Sequence, residues 1–390
     1  MMKYFDYAAS SPLDQEAAEL YVKAATEYYG NSQSLHDIGY QATTLLENAR
    51  TEIAKLFAVE ADGIFFTSGG SESNLLGIRA LLSAKLKEGR HIITGIAEHD
   101  SVYLVMKMLE KEGYEVTYLP FNSEGRIEVA AVEEAMRDDT ILVSIQHTNP
   151  EIGTLQPIKE ISSLCKKNQV LLHSDCVQSF GKTPIQEIAA AVDTLSISGH
   201  KFYGPKGTGI AYVNPRVAWR PQIEGVAHEK GLRAGTVNVP GILAMTLAAQ
   251  KAVSGLDEEM NRLSILRDVF TNHFTFLGNE VTIYPSQLPG LIGMRLHDHE
   301  GQWVMLECNR RGFAISTGTA CHIGLLAPSK TMAAIGVTGK AAKEFIRISF
   351  GRQTTEEDVH SLGEFLAELA QQPEINELHR LRYGTILKGS

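Results

Sequence analysis

The sequence predicts an α/β protein: a large domain built on a mostly parallel sheet covered on both faces, then a smaller α+β domain. Three observations predict it. From about residue 60, short apolar runs alternate with amphipathic stretches. Those runs are too continuously apolar to leave one face in water, as buried parallel strands are and half-solvated antiparallel ones are not. After about residue 255 the alternation gives way to one long helical pattern followed by strands.

The elements follow in order. "ATTLLENARTEIAKLF" places Leu45, Leu46, Ala49, Ile53, Leu56 and Phe57 on one helical stripe. Strand-like "GIFF" precedes a helical "SESNLLGIRALLSAKLK", and "HIITGI" precedes "DSVYLVMKMLEKEG". "EVTYL" leads to helical "VAAVEEAMR", "TILVSIQH" to "IKEISSLCKKN", and then come "VLLHSD", "TLSISG" and "GIAYV". Helical "EEMNRLSILRDVFTNHF" opens the smaller domain, with strands "EVTIY", "LIGMRL" and "FIRISF". Its last helix, "TEEDVHSLGEFLAELAQ", starts on a Thr355-x-x-Asp358 cap of the capping-box type. The expected domains are 1–257, an N-terminal segment with the large α/β domain, and 258–390.

Bulk properties narrow the function. A chain of 390 residues exceeds the usual single-domain size. A net charge of −10 argues against a direct nucleic-acid binder that depends on phosphate contacts. The start, "MMKYFDYAASSPLD", has no apolar core of signal-peptide length, and no stretch is apolar enough to span a bilayer. Cys165, Cys176, Cys308 and Cys321 form no CxxC pair, which argues against both a disulfide framework and an intrinsic metal site. A reduced, cytoplasmic enzyme without membrane attachment is the expectation.

Ligands of a parallel α/β sheet bind beyond the carboxyl ends of its strands, so the strand ends carry the functional reading. "TSGGSESN" opens a helix on Gly69, Gly70 and Ser71, whose free N–H groups and dipole suit a phosphate. The same turn is ordinary helix initiation. "AEHDS" places His99 at a sheet edge, and "IQHTNPEIG" supplies Asn149 in a loop. "VLLHSDCVQS" carries Asp175 to a strand end, with Gln178 in the next turn; the plain alternative is a capping aspartate. "SISGHKFYGPKGTG" delivers Ser198, His200 and Lys201 to one place among glycines. A lysine ending a buried strand is costly unless paired or covalently used, and as a neutral amine it forms Schiff bases. A phosphate cup, an imidazole cover, a buried aspartate and such a lysine are together what pyridoxal 5′-phosphate (PLP) requires.

These residues resemble a known family. "TSGGSESN", "EHDSV", "NPEIGTLQP", "HSDCVQ", "SISGHKFYGPKGTG", "RAGTVNVPG", "STGTAC" and "RISFGRQTTEED" stand in the order seen in cysteine desulfurases, fold type I PLP enzymes of the class V aminotransferase group. The resemblance covers essentially the whole chain. It implies Lys201 as the Schiff-base lysine, Asp175 on the pyridine nitrogen, Gln178 by the phenolic oxygen, and His99 over the ring and in proton transfer. It implies Gly70, Ser71, Ser198 and His200 on the phosphate, joined by Thr236 from a second subunit, hence a homodimer with composite sites. Arg352 would hold the carboxylate of L-cysteine, with Asn31 and Asn149 nearby; Asn149 also counts among the cofactor residues. Cys321 would take the sulfur as a persulfide, releasing L-alanine, on a loop running from Cys321 to Gly336. From there the sulfur would pass to an acceptor: an iron–sulfur scaffold, a tRNA-thiolation protein or a dedicated client enzyme. With a scaffold, Cys321 would transiently share an iron–sulfur cluster.

The chain departs from the family at several points. Asn149-Pro150 stands for an asparagine pair, Ser71 for threonine, and "DYAAS" for "DNAAT". His322 follows Cys321 where small hydroxylated residues are usual, and Cys176 stands for alanine. Selenocysteine lyase, or another class V enzyme, is the alternative within PLP chemistry, against which "STGTAC" speaks. A non-catalytic interaction protein is the alternative of another kind, against which the intact Lys201, Asp175, His99 and Arg352 speak.

Overall fold

The computed structural model describes residues 2–84, 86–221, 224–318 and 329–372. Its strands are β1 (Lys3–Tyr4), β2 (Ile64–Thr67), β3 (His91–Gly95), β4 (Glu115–Leu119), β5 (Thr140–Ser144), β6 (Leu171–Asp175), β7 (Thr194–Ser198), β8 (Gly209–Val213), β9 (Val281–Ile283), β10 (Leu291–Leu296), β11 (Phe313–Ala314) and β12 (Phe345–Ser349). Two compact units share them. One comprises Ala8–Pro150 and Thr154–Glu258; the other takes the residues up to Tyr7, Glu151–Gly153 and those from Glu259 on.

The larger unit holds a seven-stranded sheet in the order β2-β8-β7-β6-β5-β3-β4. From β4 to β7 neighbouring strands run parallel. β8 runs antiparallel to both β7 and β2, so β2 is an edge strand held by a reversed neighbour. Phe65, Ile92, Leu142 and Ala211 of the sheet pack with Ile78, Leu81, Val102, Met106 and Leu109 of the helices Gly70–Ala84 and Asp100–Lys111. Side chains on both faces of these strands are buried, and that is why their sequences are unbroken apolar runs.

The sequence reading passed over the helix Val239–Ser254. Val239, Ile242, Met245, Ala248 and Ala252 are all buried, and it begins on Asn238, whose Oδ1 accepts from Gly241 N at 3.0 Å. A helix apolar on most of its circumference has little polar face to betray its period.

In the smaller unit β12, β10 and β9 form an antiparallel sheet, and β1 pairs in parallel with β11. Ile292 and Met294 of β10, Ile346 and Ile348 of β12, Leu263, Leu266 and Phe270 of the helix Leu256–Asn272, and Val359, Leu362 and Leu366 of the helix Glu356–Ala370 make its core. The expected cap is present: Thr355 Oγ1 accepts from Asp358 N at 3.2 Å. Ile152 joins Tyr284, Met332, Ala342 and Phe345 in a satellite cluster of this unit. Among the described residues no single helix is long and apolar enough to cross a bilayer.

Candidate active site

The carboxyl ends of β2, β6 and β7 bring together most of the residues singled out in the sequence. After β2 the chain turns at Gly69, with φ +151°, into the helix Gly70–Ala84. A Cβ at Gly70 would lie 2.7 Å from Val177 Cγ2, so the glycine is required by the close approach of the turn after Asp175. Ser198, buried at the end of β7, borders the same turn: its Oγ lies 3.7 Å from where a Cβ on Gly69 would stand.

Asp175 ends β6, buried. Its Oδ2 accepts from Asn74 Nδ2 at 2.8 Å and its Oδ1 from Val177 N at 2.9 Å. Two donors offset the cost of burying the carboxylate. Gln178, one turn on, donates from Nε2 to Ala8 O at 2.8 Å and accepts from Lys182 Nζ.

Lys201 follows β7 in a single helical turn, Gly199–Lys201. Its Nζ donates to Ala8 O at 2.6 Å and Ala9 O at 2.9 Å. The Ala8–Ser11 segment binds the rest of the lysine turn too, since Ser11 N and Oγ both donate to His200 O at 2.9 Å. His200 is driven down to about 4, first by burial and then by the positive charges of Lys201, Lys206, Lys182 and His99. The lysines Lys201, Lys206 and Lys182 make the surroundings of this turn electropositive.

His99 is the N-cap of the helix Asp100–Lys111 and is exposed. Its Nδ1 accepts from Ser101 N at 3.1 Å, so in the neutral ring the proton sits on Nε2. Ser101 Oγ lies 2.8 Å from the same Nδ1 and accepts from Asn74 Nδ2 at 2.9 Å. Asn74 therefore ties Asp175 to His99 through Ser101, while its Oδ1 accepts from Ser196 Oγ. Sequence reading missed Asn74, Ser101 and the carbonyls of Ala8 and Ala9. The one signal for Asn74 is an asparagine on the buried face of the helix that the glycine turn opens.

The other candidates have these surroundings. Asn149 is fully buried in the larger unit, its N donating to Thr154 O at 3.0 Å. Asn31 is exposed, its Oδ1 accepting from Gln33 N at 3.0 Å within its own turn. Ser71 and Thr236 are exposed, and Arg352 of the smaller unit is half-buried. Cys321, His322 and the first part of the segment up to Gly336 lie outside the described residues. The other three cysteines, Cys165, Cys176 and Cys308, are buried thiols, each pushed up to about 12 by burial.

PLP presents a phosphate, an aldehyde and a ring nitrogen, and the residues present fit it. The glycine turn bordered by Ser198 would suit the phosphate, the Lys201 amine the aldehyde, and the fixed Asp175 carboxylate the nitrogen.

The family model for class V aminotransferases matches residues 3–362. A NifS-type relative from Bacillus subtilis is 46% identical over 366 residues, covering 93% of each chain. A cysteine desulfurase IscS of Dictyoglomus turgidum is 39% identical over 95% of this chain and 94% of its own. Among solved structures, a NifS-like protein superimposes with a TM-score of 0.87 at 34% identity, covering 95% of this chain and 99% of that one. On these matches this chain belongs to the class V aminotransferases, a family of PLP-dependent enzymes, and has cysteine desulfurases among its relatives.

Proposed function

We propose that the protein is a cysteine desulfurase: it takes the sulfur of L-cysteine onto Cys321 and releases L-alanine. One observation carries the reading. Asp175, tied to His99 through Asn74 and Ser101, ends the strand next to the one that leads to Lys201, and Cys321 is the sulfur carrier that the resemblance to cysteine desulfurases implies. Its relatives named cysteine desulfurase support the choice.

PLP, when bound, supplies an aldehyde that captures the substrate amine and a ring that withdraws electrons from its Cα and Cβ. The chain's own residues do the rest. Gly70, Ser71, Ser198 and His200 would hold the phosphate, with Thr236 added by a second copy in a homodimer, and Gln178 would serve the phenolic oxygen. Asp175, its oxygens fixed by Asn74 and Val177 N, would keep the ring nitrogen protonated. Lys201 moves the proton from Cα, and His99 serves the incoming amine and thiol through its Nε2 side. Arg352, with Asn31 and Asn149, orients the carboxylate of L-cysteine through a planar fork.

The Cys321 thiolate then attacks the substrate sulfur. The C–S bond breaks, an S–S bond forms, and Cβ gains a proton, so one cysteine and one thiol give one alanine and one persulfide. The catalytic segment runs on to Gly336 in the domain 258–390, while residues 1–257 carry the cofactor. The persulfide passes to a protein acceptor in the cytoplasm, of the iron–sulfur scaffold, tRNA-thiolation or client-enzyme kind.

Cys321→Ser tests the reading. The variant should keep the bound cofactor's visible absorbance and form no persulfide from L-cysteine by sulfur-specific labelling. Full alanine production by that variant would overturn the assignment of Cys321 and favour a selenocysteine lyase.

A further inference from the structure

β2 is the edge of the large sheet, and it runs straight into the Ser68-Gly69-Gly70 turn. Among the described residues its outer edge meets no strand. Instead, Ile64 O accepts from Arg50 Nη1 at 2.6 Å, and Phe66 N donates to Glu229 Oε2 at 2.7 Å. A carbonyl and the N–H two residues later are what a parallel neighbouring strand would engage. The Arg50–Glu229 pair imitates one residue of such a strand.

The pair is built to stay. Arg50 Nη1 and Nη2 each donate to a Glu229 oxygen at 2.9 Å, and both side chains are buried. The guanidinium also lies 4.9 Å from the Phe66 ring centroid. Glu229 reaches this place only by a costly backbone: Glu229, Lys230 and Gly231 have φ of +44°, +54° and +88°. Two residues after Gly231, Arg233 Nε donates to Glu72 Oε2 at 3.0 Å, and Glu72 Oε2 accepts from Ser68 N. The stretch 229–233 thus clasps the glycine turn from both sides, through Phe66 before it and Glu72 after it.

We propose that Arg50 and Glu229 are positioning residues for the cofactor phosphate: as a surrogate strand they set where β2 delivers Ser68, Gly69 and Gly70. Neither needs to touch the cofactor. A buried bidentate pair resists sliding, whereas a bare edge strand shifts easily, and the donors of an anion cup act only when aimed at the same point.

The test uses the full chain, stripped of cofactor and titrated with PLP or with pyridoxal, which lacks the phosphate. In Glu229→Gln, which keeps size but weakens the fork, the Kd for PLP should rise about tenfold while the Kd for pyridoxal stays put. Arg50→Lys, which keeps the charge and loses the fork, should do the same and decides the matter where Glu229→Gln fails to fold. At saturating PLP, kcat should stay within about twofold of the parent. A general structural role would raise both Kd values together; that outcome, or no change in either, overturns the proposal.

Discussion

Asn74 shows how much of this site rests on a residue that touches no reacting atom. One amide donates to Asp175 and to Ser101 and accepts from Ser196. Asn74→Leu leaves a buried carboxylate oxygen and a buried hydroxyl without that partner, each at about 1–3 kcal/mol. Steady-state kinetics should show kcat reduced about 10- to 100-fold with bound PLP retained, and an unchanged kcat would mean that the network does not serve the chemistry. Lys201→Ala should lose the visible absorbance of the lysine-held cofactor, and a coloured Lys201→Ala protein would move the covalent role elsewhere. Lys201, Asp175 and His99 were legible because each stands at, or within four residues after, the end of an apolar strand. Asn74 was not, because its partners stand 27 and 101 residues away.

Among elements, the short helix Lys330–Ala334 of the smaller unit is held by a carboxyl from a distant loop. Glu151, buried, accepts from Ser329 Oγ, the N-cap of that helix, and bonds Thr331; a Cβ on Gly318 would stand 3.0 Å from its Oε1. Burial pushes the Glu151 carboxyl above the ordinary 4.5, with Ser329, Thr331, Arg347 and Lys330 pulling it partly back. The folded chain therefore holds this proton more tightly than the unfolded one. That contribution to stability is fully present below 4.5 and is lost as pH rises through the raised value. Glu151→Gln cannot ionise, so its melting temperature should gain on the parent's between pH 4.5 and 8; a difference independent of pH would remove the ionisation from the account. Thr355, legible from sequence as a cap, should cost about 1 kcal/mol as Thr355→Ala in denaturant unfolding, and a cost near zero would mean that Glu356, Glu357 and Asp358 hold the helix start unaided.

For the whole molecule, acid stability should depend on histidines that burial keeps neutral, His173 and His147 besides His200. His173, on β6 and 2.8 Å from Ser144 Oγ, is pushed down to about 3, and His147 to about 4. The unfolded chain takes up these protons below about 6.5, and the folded chain does not until far lower. The stability they permit is present above 6.5 and is lost as pH falls toward those values, each adding up to about 1.4 kcal/mol per pH unit to the slope. His173→Gln should flatten the fall in urea midpoint between pH 7 and 5, and an unaltered slope would assign it to other groups. By itself the sequence determined the class of fold and the kinds of residue at its strand ends, because hydrophobic periodicity and turn glycines are local properties of the chain. Tertiary structure alone decided that β8 runs against its neighbours, that Ala8 and Ala9 offer their carbonyls to Lys201, and that Arg50 and Glu229, 179 residues apart, complete the edge of β2. Strand direction, backbone acceptors and long-range ion pairs follow from where the folded chain places groups, and no local pattern of residues encodes that placement.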